Sequence, residues 1–500
     1  MTTTLEPVAT RAIAPFARVP VLTVAGLLAI PLLLTANRYG YFGDELYFLA
    51  AGRHLSWGYV DQPPLLPLLA KGMDALAPGS VFVLRIPAML AMPAAVVLTA
   101  LIARELGGRA KAQTIAAATF AVSTQFVASG HYLATSTVDP FLWTLLLWLL
   151  VRWIRTRQDG LLVWAGVVTA FALYTKFLIG GFWLVAGIAL LVCGPRELLR
   201  RPKLWLGAGI AVVALVPTLL WQATHGWPQL GMGAAISAEV GDTWGGRALF
   251  LPSVLVVAGI PIGLVLLCYG LWRLLRAPWL REYRFLGWTA LGLAALVVAA
   301  NGRSYYVAGM FGVCWAVAAV EIERGQASRW WRWLATWPVY VVAALLVLPS
   351  ALPVWPQSWL TERPSVPHPV FAFGEVGWPE TARSVARVYA TLPGRGHTAV
   401  VTESYWQASA LDRFGRDLGL PEPASPNRGY ATLVTPPESA TDVLYVGEKP
   451  RLLTGFTAVR PVGKVETGLP GAAEGTPMWL ATGRTEPWSV LWPRLANTHN

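Results

Sequence analysis

Long apolar stretches separated by short polar ones run through the first 350 or so residues of this chain, near 19–36, 81–103, 112–130, 140–151, 204–222, 250–272, 285–300, 305–320 and 333–351. A helix that crosses a bilayer needs about 20 mostly apolar residues, so each run predicts a membrane span. The stretch from Leu161 to Val192 is too long for one crossing and reads as a hairpin of two short helices that turns near residues 174–181. Arg152, Arg155 and Arg157 precede this hairpin and Arg196, Arg200, Arg201 and Lys203 follow it. Because basic residues collect on the cytoplasmic side, both ends belong there and the number of crossings between them is even. The same rule places Arg104, Arg109 and Lys111, then Arg273, Arg276, Arg281 and Arg284, then Arg324, Arg329 and Arg332 inside. The pattern predicts about eleven transmembrane helices with the N-terminus in the cytoplasm and the C-terminus outside. Arg11 and Arg18 stand ahead of the first run, which is too long for a signal-peptide core and reads as a retained helix.

Composition agrees with this class. Over 500 residues the chain is 55% hydrophobic and only 13% charged, with a mean hydropathy of +0.51. Soluble domains carry about 25% charged residues. The net charge of +12 fits basic cytoplasmic loops better than nucleic-acid binding, because no basic stripe interleaved with aromatics occurs. Cys193, Cys268 and Cys314 lie inside apolar runs at unrelated spacings, which argues for packing rather than disulfides or metal. The six histidines show no ligand spacing, and HExxH, CxxC, Walker and GxSxG motifs are missing.

Opposite the basic loops lie 37–80, 131–139, 223–249, 301–304 and everything after about 352, and the acids Asp44, Glu45, Asp61, Asp74, Asp139, Glu239 and Asp242 fall there. An ionisable group beside lipid is costly and marks a functional site by default. The pattern predicts two short surface helices in the first outer loop, over residues 44–55 and 65–76, with the Pro63-Pro64 pair between them. Asp44 suits the start of the first, where an acid complements the helix dipole, so capping competes with chemistry for this residue. Asp139 before Pro140 likewise reads as a helix opening. Lys176 lies at the hairpin turn and Arg303 in the tight turn Asn301-Gly302-Arg303-Ser304-Tyr305-Tyr306, where Tyr305 and Tyr306 also suit an interfacial anchor.

Beyond Leu352 the character changes. Residues 1–351 read as a transmembrane catalytic domain, 352–370 as a Pro-rich linker, and 371–500 as a small extracytoplasmic α/β domain. Strands are expected at 399–402 and 443–446, and amphipathic helices at 380–392 and 405–418. Within it, Glu403-Ser404-Tyr405-Trp406-Gln407 carries no catalytic signature, and its aromatics read as packing.

Gly43-Asp44-Glu45-Leu46-Tyr47-Phe48, Trp57-Gly58-Tyr59-Val60-Asp61-Gln62-Pro63-Pro64, Val138-Asp139-Pro140-Phe141, Thr175-Lys176-Phe177 and Asn301 to Tyr306 occur in this order. The constellation resembles the GT-C glycosyltransferases of family 39, which include the protein O-mannosyltransferases and the aminoarabinose transferases of bacterial lipid A. The resemblance covers most of 37–320 and is most specific in the first two strings. It implies a GT-C fold in a bacterial plasma membrane. It also implies transfer of a sugar from a polyprenyl-phosphate donor, with inversion, to a lipid, glycan or protein acceptor at the outer face. Asp44 matches the family's catalytic acid and would be the general base, with Glu45 completing the pair. Asp61 and Asp139 match acidic positions, Lys176 matches a lysine near the donor site, and Arg303 falls where many relatives carry Lys. Tyr305 joins this donor-phosphate and substrate set. Gln62 departs from the lysine of the lipid A enzymes, so a phosphate contact does not transfer to it. A divalent metal on Asp44, Asp61 or Asp139 would serve the same chemistry, but the spacing fixes no ligand set.

The rival class is a polytopic transporter or flippase, which the helix number and outward acids also serve. Transporters commonly show two hydropathy halves related by a repeat, and none is evident here. A third reading, a non-catalytic sensor or scaffold, would tolerate Asp44→Asn.

Overall fold

A computed structural model describes residues 13–243, 245–448 and 453–496, so the expectation for Arg11 lies outside the described residues. The helices run in chain order as α1 (Arg18–Thr35), α2 (Gly43–Arg53), α3 (Leu65–Leu76), α4 (Val81–Glu105), α5 (Ala110–Ala121), α6 (Thr124–Ser129), α7 (Thr135–Thr156), α8 (Gly160–Thr175), α9 (Leu178–Cys193) and α10 (Pro202–Thr224). They continue as α11 (Gln229–Thr243), α12 (Phe250–Ala258), α13 (Ile262–Arg276), α14 (Arg284–Ala299), α15 (Phe311–Glu323), α16 (Trp337–Ala351), α17 (Trp359–Glu362), α18 (Trp378–Thr391), α19 (Tyr405–Phe414) and α20 (Trp488–Leu495). Four strands, β1 (Thr398–Thr402), β2 (Asp442–Val446), β3 (Phe456–Lys464) and β4 (Pro477–Arg484), form one sheet in the order β1-β2-β4-β3.

Among the described residues six helices are long and apolar enough to cross a membrane, and a seventh span arises if α12 and α13, bent by 108°, count as one. Three shorter apolar helices, α8, α9 and α16, accompany them. The polytopic helical class expected from hydropathy is met, by a mixture of full-length and shorter apolar helices. The run at 112–130 divides into α5 and α6 at Val122-Ser123, and the run at 250–272 breaks at Gly259 to Pro261. The hairpin forms with its turn at Lys176-Phe177, and each arm has 16 residues, or about 24 Å of helix. Such arms fall short of the roughly 30 Å hydrocarbon core, so hydropathy alone overstates them. Large apolar side chains such as Val19, Leu34, Val213, Leu220, Leu345 and Leu346 remain exposed around the bundle. Water would penalise so much bare apolar surface, whereas lipid is its natural surrounding. The chain is a membrane protein.

α2 and α3 fall where the first outer loop predicts them, but α2 does not lie on a surface. Nine of its eleven residues are buried, because α3 covers one side and α19 from the C-terminal region covers the other. Asp139 corrects another expectation. α7 begins at Thr135, so Asp139 stands in its second turn and caps nothing.

In the C-terminal region β1 and β2 run parallel, and β4 is antiparallel to both β2 and β3. β1 and β2 lie at the expected strands, and α18 and α19 at the expected helices. β3 and β4 escaped the alternation rule because Pro461 and Gly463 interrupt β3 at a register shift and β4 presents Ala, Thr and Gly among its apolar residues. The Pro-rich stretch after α16 is pinned to the segment between α1 and α2: Arg38 Nη1 donates to the Val354 carbonyl at 3.0 Å and the Tyr39 hydroxyl to the Trp355 carbonyl at 3.2 Å.

Candidate active site

The first turn of α2 separates the two adjacent acids by environment. Glu45 points inward and is fully buried. Its Oε1 accepts from Arg85 Nε and the Leu133 amide, each at 2.9 Å, and its Oε2 from Arg85 Nη2 and the Phe42 amide, each at 2.8 Å. Arg85, equally buried, also donates to the carbonyls of Ala36 and Gly40 at 2.8 and 2.7 Å. It meets His131 Nε2 at 3.0 Å, and that nitrogen lies 3.1 Å from Glu375 Oε2. A buried charge is tolerated only with such partners. The network Glu45–Arg85–His131–Glu375 therefore ties α2, α4, the approach to α7 and the C-terminal region together. Glu45 was expected to share the chemistry with Asp44; with both oxygens saturated, its geometry is that of a structural anchor.

Asp44 points the other way and is only half-buried. Its Oδ1 accepts from the Tyr405 hydroxyl and from Trp406 Nε1, each at 2.8 Å, and among the described residues no hydrogen bond reaches Oδ2. Burial, with the adjacent Asp44 carboxylate, pushes the Tyr405 phenol well above its ordinary pKa, so it remains a hydroxyl donor. Gly43 is dictated by this contact: a Cβ there would stand 2.3 Å from the Trp406 ring. Phe42 packs edge-on to Trp406 with ring centroids 5.1 Å apart. Asp61 accepts from the Tyr47 hydroxyl at 2.8 Å and from the Gly429 amide at 3.3 Å. Burial pushes the Asp61 carboxyl up, opposed by the Tyr47 hydroxyl and by Arg428. Any side chain at 429 would collide with this pair, since a Cβ there would lie 2.1 Å from the Tyr47 oxygen.

Cations face these acids. Arg303 Nη2 bridges both oxygens of Glu239 at 2.6 and 2.8 Å, and its Nη1 donates to the Tyr305 hydroxyl at 3.0 Å. Arg428 pairs with the same Glu239 and lies over the Tyr405 ring, 5.5 Å from its centroid. Burial pushes the Glu239 carboxyl up, but the two guanidiniums outweigh it and hold the group below its ordinary value. Lys176 Nζ sits 3.7 Å from the Tyr306 ring centroid and 5.4 Å from that of Tyr305, a cation–π seat in a partly desolvated position. Asp139 accepts from Trp143 Nε1 at 3.0 Å and is within electrostatic reach of Lys176.

Tyr305 thus lies within electrostatic reach of Asp44, Lys176 and Arg303, Asp61 joins them through Arg428 and Glu239, and Asp139 is within reach of Lys176. Among the described residues no three His, Cys, Asp or Glu side chains converge to hold a metal. Asp44, Asp61 and Asp139 each have different partners, so they do not fit the divalent-ion site raised for them. Sequence reasoning missed Tyr405, Trp406 and Arg428. The aromatics open α19 behind a capping box made by Ser404 and Gln407, and Arg428 adopts a left-handed φ of 50° just before Gly429. A capped strand-to-helix junction that presents two hydrogen-bonding aromatics was the available signal.

Comparison with known proteins finds likenesses in sequence over part of the chain and in fold over most of it. A family model described as dolichyl-phosphate-mannose-protein mannosyltransferase matches residues 61–221. The match covers about a third of the chain, from Asp61 ahead of α3 to Trp221 in α10. No curated protein matches the sequence significantly. Among solved structures, ArnT from Cupriavidus metallidurans bound to undecaprenyl phosphate is similar, with a TM-score of 0.60 at 16% identity over 92% of this chain and 97% of that one. Its apo state gives a TM-score of 0.57 at 15% identity, with the same coverage of both chains. The arabinofuranosyltransferase AftD from Mycobacteria gives 0.50 at 13% identity over 97% of this chain and 41% of that one. These likenesses show the fold alone.

Proposed function

We propose that the chain transfers a sugar from a polyprenyl-phosphate donor to a hydroxyl or amine acceptor at the extracytoplasmic face, with inversion and with Asp44 as general base. The observation that carries this reading is the asymmetry of the two acids: Glu45 is saturated and buried, while Asp44 keeps one oxygen open and is held by Tyr405, whose ring lies under Arg428. A carboxylate in that position takes the acceptor proton as the acceptor heteroatom bonds to the anomeric carbon, and the bond to the donor phosphate breaks with its electron pair on phosphate. Such general-base help is worth roughly 10²- to 10⁴-fold. The phosphate gains charge as it leaves, and Lys176 and Arg303 are the fixed cations positioned to stabilise it, with Tyr305 orienting Arg303. Asp139 supports Lys176, and Asp61 braces α2 against the C-terminal region.

The similar ArnT structure bound to undecaprenyl phosphate supports the donor class. The proposed arrangement has residues 1–351 as the catalytic membrane domain, 352–370 as linker and 371–500 as an outer domain, with the N-terminus cytoplasmic. The test is incubation of purified protein in proteoliposomes with labelled polyprenyl-phosphate sugars and a panel of hydroxyl and amine acceptors. Transfer of label by the wild type supports the reading. Movement of label across the bilayer with no transfer product would point instead to a transporter.

A further inference from the structure

The C-terminal region does more than cover the membrane domain, because two of its side chains end on the oxygen of one carboxylate. Tyr405 and Trp406 are consecutive, yet the phenol and the indole N–H converge on the same Oδ1 of Asp44 at 2.8 Å each. Convergence is enforced from both sides. Behind the pair, Ser404 and Gln407 fix the start of α19 through reciprocal capping. In front, the Tyr405 ring packs edge-on to Tyr47 at 5.0 Å, and the Trp406 ring lies against Gly43, where only a hydrogen fits. Tyr405 is also under the Arg428 guanidinium, which Glu239 holds in turn.

We propose that Tyr405 and Trp406 are positioning residues for the reaction: they immobilise Asp44 through Oδ1 so that Oδ2 is the oxygen presented to the acceptor, and the outer domain is thereby part of the catalytic centre. This rests on Asp44 being the general base. A carboxylate at the start of a helix turns freely about its side-chain torsions unless held, and a base that is misaligned by about 1 Å loses on the order of a hundredfold in rate. Two neutral donors on one oxygen fix both the torsion and the plane. Besides these donors, the titratable and charged groups that bear on Asp44 are Tyr132 before α7 and Tyr305 beyond α14, both within electrostatic range. Neither substitutes for a donor on Oδ1.

The experiment compares Tyr405→Phe, Trp406→Phe and Asp44→Asn with wild type in kcat for sugar transfer, alongside donor KM. Each Phe variant keeps an aromatic ring and removes one hydrogen bond. Expected are a fall in kcat of about tenfold per variant and a donor KM within about twofold of wild type. A wild-type kcat in both Phe variants, with Asp44→Asn inactive, overturns the positioning role and leaves the base assignment standing. Full activity of Asp44→Asn instead removes the base assignment itself. Gly43→Ala approaches the same contact from α2, pushing the Trp406 ring away, and is expected to lower kcat with donor KM unchanged. If either Phe variant fails to fold, the Gly43→Ala result decides the question, a wild-type kcat again overturning the proposal.

Discussion

The two neighbouring acids of the GDELYF string are expected to fail in different ways, and the buried one gives the larger structural effect. In Arg85→Met, Glu45 keeps its two backbone donors, the amides of Phe42 and Leu133, but loses both bonds to the guanidinium and its countercharge. Both side chains are fully buried, so no solvent replaces the lost partner. Removing one member of such a pair costs about 3–5 kcal/mol. Glu45→Gln leaves Arg85 with the carbonyls of Ala36 and Gly40, and with Glu375 4.0 Å away. Its cost belongs at the lower end, about 3 kcal/mol. The double variant leaves no unpaired charge from this pair, so its cost falls below the sum by on the order of 2–3 kcal/mol. The assay is reversible unfolding in mixed micelles, read by helicity, across the four members of this cycle. Transfer activity per folded molecule is expected to stay within a few-fold of wild type in Glu45→Gln. Additivity within about 0.5 kcal/mol, or loss of turnover at unchanged stability, would refute the reasoning.

Further expectations concern the outer loops. Burial raises the Asp61 carboxyl in the folded protein, so the folded state holds that proton more tightly than the unfolded chain. Stability from this source is present below the unfolded value, about 3.9, and is lost as pH rises through the folded value. Asp61→Asn should therefore gain stability relative to wild type as pH rises across that window, and chemical denaturation at several pH values showing the opposite slope would contradict it. Glu239→Gln leaves Arg303 and Arg428 without their shared carboxylate. Polyprenyl phosphate should then bind about fivefold more tightly, on the order of 1 kcal/mol for a half-exposed pair after screening, and weaker binding in a filter assay would count against a phosphate role for these arginines.

Much of the scaffold was legible because lipid imposes a simple rule on the chain. Long apolar runs bounded by arginines became α1, α4, α7, α10 and α14, and the overlong stretch divided at Lys176. The segment between α1 and α4 was readable to within two residues at α2 and α3, since Pro63-Pro64 separates them. Hydropathy said less about where a helix breaks: the division at Val122-Ser123 and the bend at Gly259 depend on packing against other elements. Asp139 was misread because a Pro after an acid resembles a helix start, whereas Pro140 here lies inside α7. Asp44, Asp61, Lys176 and Arg303 stood out as rare ions in an apolar chain. Tyr405, Trp406 and Arg428 did not, because ordinary aromatic and basic residues gain meaning only through a contact more than 350 residues away in sequence for the first two, and through a partner on α11 for the third.

The central claim is that Asp44 takes the acceptor proton. The direct measurement is single-turnover transfer from a pre-bound labelled polyprenyl-phosphate sugar, with donor affinity determined in parallel, for wild type and Asp44→Asn. Because the change removes a proton acceptor and little bulk, the account predicts a rate loss of about 10²-fold or more with donor affinity nearly unchanged. Equal single-turnover rates in the two proteins would contradict it.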